Sequence, residues 1–313
     1  MSDFAFDQLR YLASTKSVDD RALNRVAWQS FTEAVSHVAG HGLTIMEVGA
    51  GTGSTLERLI EWQVFDGHLG ADRREVRLDL VDNDRLALER ARERVPALAD
   101  AYEWGCTEIS EGWRLQRAST QLDLHFTVRD VRELVREDNG GRHDVLIAHA
   151  FLDLFHLPTV VPALLRRLVP GGLFYFTLNY DGATIFEPVT DRSLEDAVQA
   201  SYHNTMDNRM TAGQPSGDSA AGRHLYHVLT ASGAEVVEFG SSDWVVFPRS
   251  GGYPGDEEYF LRCILWLVEQ ALRADTALPV ASVKSWLRQR HGQLRARELI
   301  FIAHQLDIVG RIG

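Results

Sequence analysis

The sequence predicts an α/β protein with a doubly wound, mostly parallel sheet, and three observations carry that expectation. Short apolar runs alternate with helical patterns from about residue 43 to residue 240, the rhythm of strand–helix–strand units with helices on both faces of a sheet. Alternating glycines, Gly49-Ala50-Gly51-Thr52-Gly53, separate the first apolar run from the helical pattern after it. Polar residues close the successive runs: Glu47, Asp82, Asp130, His149 and Asn179. Ligands of such sheets sit beyond the carboxyl ends of the strands, so these residues are the first to weigh.

Each element follows from its own pattern. Residues 3 to 40 read as two helices. The second is expected to start near Ser17-Val18-Asp19-Asp20, where short polar side chains cap free N–H groups, and it carries Leu23, Val26, Ala27, Phe31, Ala34, Val35 and Val38 at helical spacing. Leu43 to Val48 is a buried strand, Ser54 to Val64 a helix, and Val76 to Val81 a second strand. Arg85 to Ala101 is helical, with Pro96 expected to kink or break it. Residues 103 to 121 read as irregular, with an extra strand at Trp113 to Arg117. Leu122 to Val128, Asp144 to Ala148 and Leu173 to Leu178 are the third to fifth strands. A helix from Thr159 to Leu168, stopped by Pro170-Gly171-Gly172, precedes the fifth.

Residues 181 to 222 interrupt the rhythm with the polar segment SYHNTMDNRMTAGQPSGDSAAG and read as a loop or lid over the site. A helix at 223–232, a strand at 235–239, a strand-like run at 244–247 and helices at about 256–274 and 280–292 follow. In the tail RELIFIAHQLDIVGR, Leu299, Ile302, Ala303, Leu306 and Val309 fit a helix, while the β-branched content fits a strand. A final strand at about 298–309 is the preferred expectation.

A chain of 313 residues with 45% hydrophobic and 24% charged residues fits one large soluble domain. Its net charge of −12 argues against a partner bound by neutralising phosphates, so no nucleic acid is expected. Cys106 and Cys263 show no metal-ligand spacing and no disulfide framework, and no metal is expected. The N-terminus MSDFAFDQLR lacks the pattern of a signal peptide, and no apolar run is long enough to span a membrane. A cytoplasmic location is therefore expected. Monomer and homodimer both remain open.

The glycine loop has a G-x-G-x-G spacing. The dinucleotide fingerprint G-x-G-x-x-G requires a third glycine where Ser54 stands, and a Walker loop requires a lysine that does not follow. Glu47, two residues before the first glycine, would repel a pyrophosphate and suits a cation. The plain alternative is a tight strand-to-helix turn. Asp82 ends the next strand, where a carboxylate accepts bonds from ribose hydroxyls, and Asp130 ends the third, where it can meet an adenine amino group. Each alone reads equally well as a surface loop residue; acids after three consecutive strands form a set.

These residues resemble the motifs of the class I S-adenosylmethionine-dependent methyltransferases. "EVGAGTGS" is similar to the family's first motif, "LDLVDND" to its second and "VRDVREL" to its third. "HDVLIAHAFLDLF" resembles the fourth, and "LLRRLVPGGLFYFTL" the helix, Pro-Gly-Gly turn and strand that follow it. The resemblance covers roughly residues 43 to 240 and implies a Rossmann-like methyltransferase fold with a seven-stranded sheet whose last strand is antiparallel. It implies S-adenosylmethionine as cofactor, held by Glu47, Gly49, Gly51, Gly53, Asp82, Asn83, Asp130, Val131 and His149. The chain then divides into an N-terminal helical cap (1–42), a cofactor-binding core (43–250) whose 181–222 insert forms a substrate lid, and a helical extension with the final strand (251–313). The connection from Gln63 to Glu75 is longer than the family's usual one. The cap, the insert and the 250–295 helices lie outside the common core, where substrate choice is expected.

Methyl transfer from a sulfonium is an in-line displacement, so the protein must chiefly hold nucleophile and methyl at near-attack distance and deprotonate the nucleophile where it carries a proton. His149 is the candidate base, with a role in shaping the pocket as its alternative. Asp153 is expected to orient His149, to bind substrate, or to cap the following helix. Asn179, Tyr180 and Asp181 after the fifth strand, and Tyr202, His203, Asn204, Asp207 and Arg209 in the insert, are candidate substrate contacts, with a solvated loop as the alternative for the insert. Lys16 and Arg21 are placed to reach a carboxylate or to lie solvated on a helix, and Trp244, His304 and Asp307 read as structural. The expected function is methylation of a small molecule at oxygen, nitrogen or carbon. The alternatives are an NAD(P)-dependent oxidoreductase with a Rossmann domain and a non-catalytic S-adenosylmethionine-binding protein.

Overall fold

The computed structural model describes residues 4–38, 42–65, 74–137, 143–211, 213–274 and 278–313. The expected end of the second helix at Gly40 and His41, and most of the lengthened connection between Gln63 and Glu75, lie outside the described residues. In chain order the elements begin with α1 (Gln8–Ala22), α2 (Arg25–His37), β1 (Gly42–Val48), α3 (Ser54–Glu61), β2 (Arg74–Asp82) and α4 (Arg85–Ala101). Next come β3 (Gly105–Ile109), β4 (Gly112–Arg117), β5 (Thr120–Val128), α5 (Val131–Leu134), β6 (His143–His149), a 3-10 turn at Leu152–Leu154 and α6 (Leu157–Leu165). Then follow β7 (Leu168–Glu187), α7 (Arg192–Asp207), β8 (Met210–Thr211), β9 (Gln214–Pro215), α8 (Ala221–Ala231), β10 (Ala234–Ser241), β11 (Trp244–Val246), α9 (Glu257–Ala274), α10 (Val280–Ala296) and β12 (Ile300–Ile312).

The main sheet runs β10-β12-β7-β6-β1-β2-β5-β4-β3, with β11 also pairing β12. The β5-β2-β1-β6-β7 run is parallel throughout. β12 inserts antiparallel between β7 and β10. These seven strands form the expected doubly wound, mostly parallel core, and β3, β4 and β11 are additions to it. Central strands buried on both faces read as continuous apolar runs, and β1 and β6 do: Ile45, Val48, Val145, Leu146 and Ile147 are buried. One face packs with Phe31 of α2, Leu59 of α3 and Val95 of α4, the other with Leu164 of α6 and Leu225 of α8. A third apolar cluster, built from α9, α10 and the outer half of β7, caps one end of the sheet.

The structure departs from the expected elements where a tertiary partner outweighs a local signal. The second helix starts at Arg25, because Asn24 accepts the N–H groups of Val26 and Ala27, each at 3.0 Å. Asp19 and Asp20 remain inside α1 and turn toward α3. Pro96 leaves α4 unbroken. A proline deprives the carbonyl four residues back of its helical partner, and here the Trp113 indole N–H donates to that Arg92 carbonyl at 3.1 Å. Residues 103–121 hold a hairpin, β3 with β4, not an irregular stretch with one strand. The fifth strand continues to Glu187, because β12 pairs with it as far as Ile300↔Glu187. The 181–222 segment is therefore the end of a strand, then α7, then a small hairpin, β8 with β9. The tail is the expected strand. Asp307 is structural as expected: buried, it accepts the backbone N–H of Leu178 at 2.7 Å and of Asn24 at 2.9 Å where the β7–β12 register shifts. No helix among the described residues is long and apolar enough to cross a membrane.

Candidate functional site

A cavity of about 580 Å³ opens at the carboxyl ends of β1, β2, β6 and β7, a size that suits a cofactor-sized ligand. Its floor is the glycine loop. Gly49 takes φ +74°, and a Cβ there would fall 2.3 Å from the Phe151 ring, so only glycine lets the loop and the segment after β6 close on each other. The loop's N–H groups are largely engaged within the protein. Gly49 and Ala50 donate to the Val81 carbonyl at 2.8 and 3.1 Å, Gly53 to the Ala50 carbonyl at 2.9 Å, and Gly51 to Asp82 Oδ2 at 2.8 Å. A phosphate cradle presents such groups to its ligand; this loop presents mostly its surface.

The wall is strongly acidic. Asp19, Glu47, Asp82, Asp84, Asp153 and Asp218 line it, against Arg209 as the one arginine or lysine among the described wall residues. Glu47 is buried with its Oε2 unpartnered, and burial pushes its carboxyl up to about 7 against the pull of Thr55 and Arg58. Asp82 accepts Gly51 N–H on one oxygen and Asp84 N–H on the other, both at 2.8 Å. Each carboxylate oxygen has a second lone pair, so Asp82 keeps acceptor capacity for a ligand's hydroxyls while its position is set by backbone.

A buried polar network closes one side. Arg58 of α3 donates to Asp20 Oδ1 at 2.5 Å and to Asp19 Oδ2 at 3.2 Å, and its Nη1 lies 3.1 Å from His149 Nε2. Because a guanidinium only donates, His149 Nε2 accepts, and Nδ1 carries the proton toward Thr177 Oγ1 at 2.7 Å; this tautomer is assigned from the network. Burial and the Arg58 charge push the His149 pKa down despite Asp19, which keeps the ring neutral near pH 7. Burial alone would raise Asp19. The Arg58 charge and the Trp244 indole N–H at 2.8 Å oppose it, and Asp19 is held below its ordinary value.

The structure thus gathers Glu47, Gly49, Gly51, Asp82, Asn83, His149, Asp153, Tyr180 and Tyr202 on one cavity. The remaining candidates lie off its wall. Gly53 packs on Ala91 of α4, and a Cβ on Gly53 would fall 3.2 Å from that side chain. Asp130 caps α5 and pairs with its own neighbour Arg132 at 2.8 Å, and Val131 is buried beneath it. Asn179 is buried and donates to the Leu306 carbonyl across the sheet at 3.0 Å. His203 Nε2 lies 2.7 Å from the Tyr180 hydroxyl, and Asn204 faces solvent. Asp153 neither touches His149 nor caps α6, whose N-cap is His156; the imidazole's partners are Thr177 and Arg58. Lys16 pairs with Asp20 at 2.6 Å and Glu61 at 2.9 Å, and Arg21 with Glu257 at 2.6 Å, so neither faces the cavity.

Sequence reasoning placed Arg209 among the ligand contacts, and it lines the cavity; it missed Arg58, Thr177 and Tyr11. The one available signal was an arginine on the apolar face of LERLI, flanked by Leu56, Leu59 and Ile60; a buried arginine requires acids, but nothing local placed Asp19 and Asp20 opposite it.

No protein-family model matches the sequence, and no curated protein matches it. Among solved structures the chain is similar to a SAM-dependent methyltransferase of Methanosarcina mazei, at 10% identity over 93% of this chain and 98% of that one, with a TM-score of 0.44. It is also similar to SAM-dependent methyltransferases crystallised with S-adenosylhomocysteine. That of Thiobacillus denitrificans is 12% identical over 97% of this chain and 99% of that one, TM-score 0.43. That of Geobacter sulfurreducens is 13% identical over 98% and 99%, TM-score 0.41. At these identities and scores the likeness assigns neither substrate nor reaction to this chain.

Proposed function

We propose that the protein is an S-adenosylmethionine-dependent methyltransferase acting on a small molecule. One observation supports this above the others: the glycine loop borders an acidic cavity and has its N–H groups engaged internally, so the site favours a cationic nucleoside over a pyrophosphate. The residues present fit that cofactor. Asp82 retains lone pairs for ribose hydroxyls, and the unpartnered Glu47 oxygen suits the ammonium or sulfonium charge. Gly49 and Gly51 let backbone approach. Bound there, the sulfonium would supply an already activated methyl group.

The chain's own residues would then bind, orient and exclude water. Helix α1 roofs the cavity with Tyr11, Leu12 and Thr15, and α7 adds Tyr202 and Met206. His149, with Nδ1 on Thr177 and Nε2 on Arg58, acts in this reading as a fixed part of the wall rather than as a base, because both nitrogens already have protein partners. Positioning of this kind contributes several kcal/mol to a displacement.

Equilibrium binding tests the proposal. S-adenosylhomocysteine is expected to bind while NAD and NADH do not, and the reverse result overturns it. In the same assay Asp82→Ala should weaken S-adenosylhomocysteine by about 1.5–3 kcal/mol, the size of hydrogen bonds to a charged acceptor. Unchanged affinity would remove Asp82 from the site.

A further inference from the structure

The cavity wall carries an acid and a base that have not found each other. Asp153 stands in the turn after β6, with Oδ1 buried and without a hydrogen-bond partner. Arg209, just past the end of α7, lines the same cavity, and only its backbone is hydrogen-bonded among the described residues. The two sense each other: the Arg209 charge pulls the Asp153 carboxyl down against the burial that lifts it to about 6. They form no direct ion pair. The nearby Asp218 is already engaged, with His224 at 2.7 Å and the Ala220 N–H at 2.8 Å.

A ligand with one charge would satisfy one of these groups and oppose the other. A simple amine would meet the exposed Arg209 with like charge, and a simple carboxylate would meet the half-buried Asp153, whose Oδ1 is buried. Leaving a buried charge without a partner is costly, whereas a ligand carrying an ammonium and a carboxylate a few bonds apart satisfies both. The same cavity also carries apolar side chains, Met206 of α7, Ile264 and Leu267 of α9, and Phe301 of β12. We propose that the methyl acceptor is the nitrogen of a small amino acid with an apolar side chain, its ammonium on Asp153, its carboxylate on Arg209 and its side chain against α9 and β12. Asp153 takes a proton from the ammonium, and the lone pair so freed forms the bond to the methyl carbon as that carbon's bond to sulfur breaks, the sulfur keeping the electron pair and leaving in S-adenosylhomocysteine. This rests on the methyltransferase reading given above.

Calorimetry on the protein saturated with S-adenosylhomocysteine tests it. The probes are leucine and phenylalanine, their decarboxylated counterparts isoamylamine and phenethylamine, and their deaminated counterparts 4-methylpentanoate and 3-phenylpropionate. At least one amino acid is expected to bind about tenfold or more tighter than either of its counterparts, as loss of a charged hydrogen bond implies. Arg209→Gln should reduce the amino acid to the level of its amine and tighten the amine, which no longer meets a like charge. Asp153→Asn should reduce it to the level of the acid. Arg209→Lys, which keeps the charge, should restore part of the preference, and the variants' affinity for S-adenosylhomocysteine verifies that they are folded. Amines or acids that bind as tightly as the amino acids, or an Arg209→Gln that changes nothing, overturn this inference alone. Failure of S-adenosylhomocysteine to bind overturns the methyltransferase reading beneath it.

Discussion

Glu47 stores a proton that a cation would displace. Its carboxyl is pushed up to about 7 by burial, from an ordinary 4.5. The folded protein therefore holds this proton more tightly than the unfolded chain does. The stability that follows is complete below about pH 4.5 and is lost as pH rises through about 7, an effect on the order of 3 kcal/mol. A positive ligand beside Glu47 favours the ionised form and reverses that preference. Binding of S-adenosylhomocysteine at pH 6 should accordingly release protons, seen as a binding enthalpy that changes with the ionisation enthalpy of the buffer. Glu47→Gln should remove that dependence. An enthalpy already independent of buffer in the natural protein would place the ligand's charge away from Glu47.

At the scale of elements, α3 joins the loop to the roof. The helix that starts at the glycine loop carries Arg58, and Arg58 holds Asp19 and Asp20 of α1. Arg58→Met should cost about 3–5 kcal/mol in urea unfolding, because Asp19, 2% exposed, would keep its burial and lose its cation. A loss below about 1 kcal/mol would mean that the Trp244 indole and His149 suffice. The parallel core strands and the glycine loop were legible in the sequence because their signals are local: apolar runs, punctuating glycines, terminal acids. What escaped was set by partners distant in sequence. Pro96 spares its helix because Trp113 satisfies the Arg92 carbonyl. Asp19 and Asp20 resemble a helix start until Arg58 is seen opposite them. The polar 181–222 stretch resembles a loop until β12 pairs with its first residues and the buried Glu195–Arg290 ion pair, joined by the Trp286 indole, ties α7 to α10. For the same reason Asp82 was legible as a residue of the cavity, and Arg58, which announces itself only through the acids opposite it, was not.

At the scale of the whole molecule, the cavity draws on nearly the full length of the chain, from Gln8 to Gln305. A ligand that bridges so many elements should stabilise the fold as a unit. At about a hundredfold excess over its dissociation constant, S-adenosylhomocysteine should add about 2.7 kcal/mol to unfolding, read as a single shifted thermal transition. A shifted transition for one part and an unshifted one for another would show that the caps unfold apart from the core. The position of β12 has a consequence in time. It is the last strand in the chain, yet it lies between β7 and β10. Likewise the roof helix α1 rests on α9, through Arg10 with Asp256, Arg21 with Glu257 and Tyr11 stacked on Phe260. A ribosome delivers residues 8–22 more than two hundred residues before these partners. The glycine loop and its neighbouring parallel strands can assemble while translation proceeds. The roof helix lacks these partners until α9 has been made, so the binding chamber can close only after the parallel strands have been delivered.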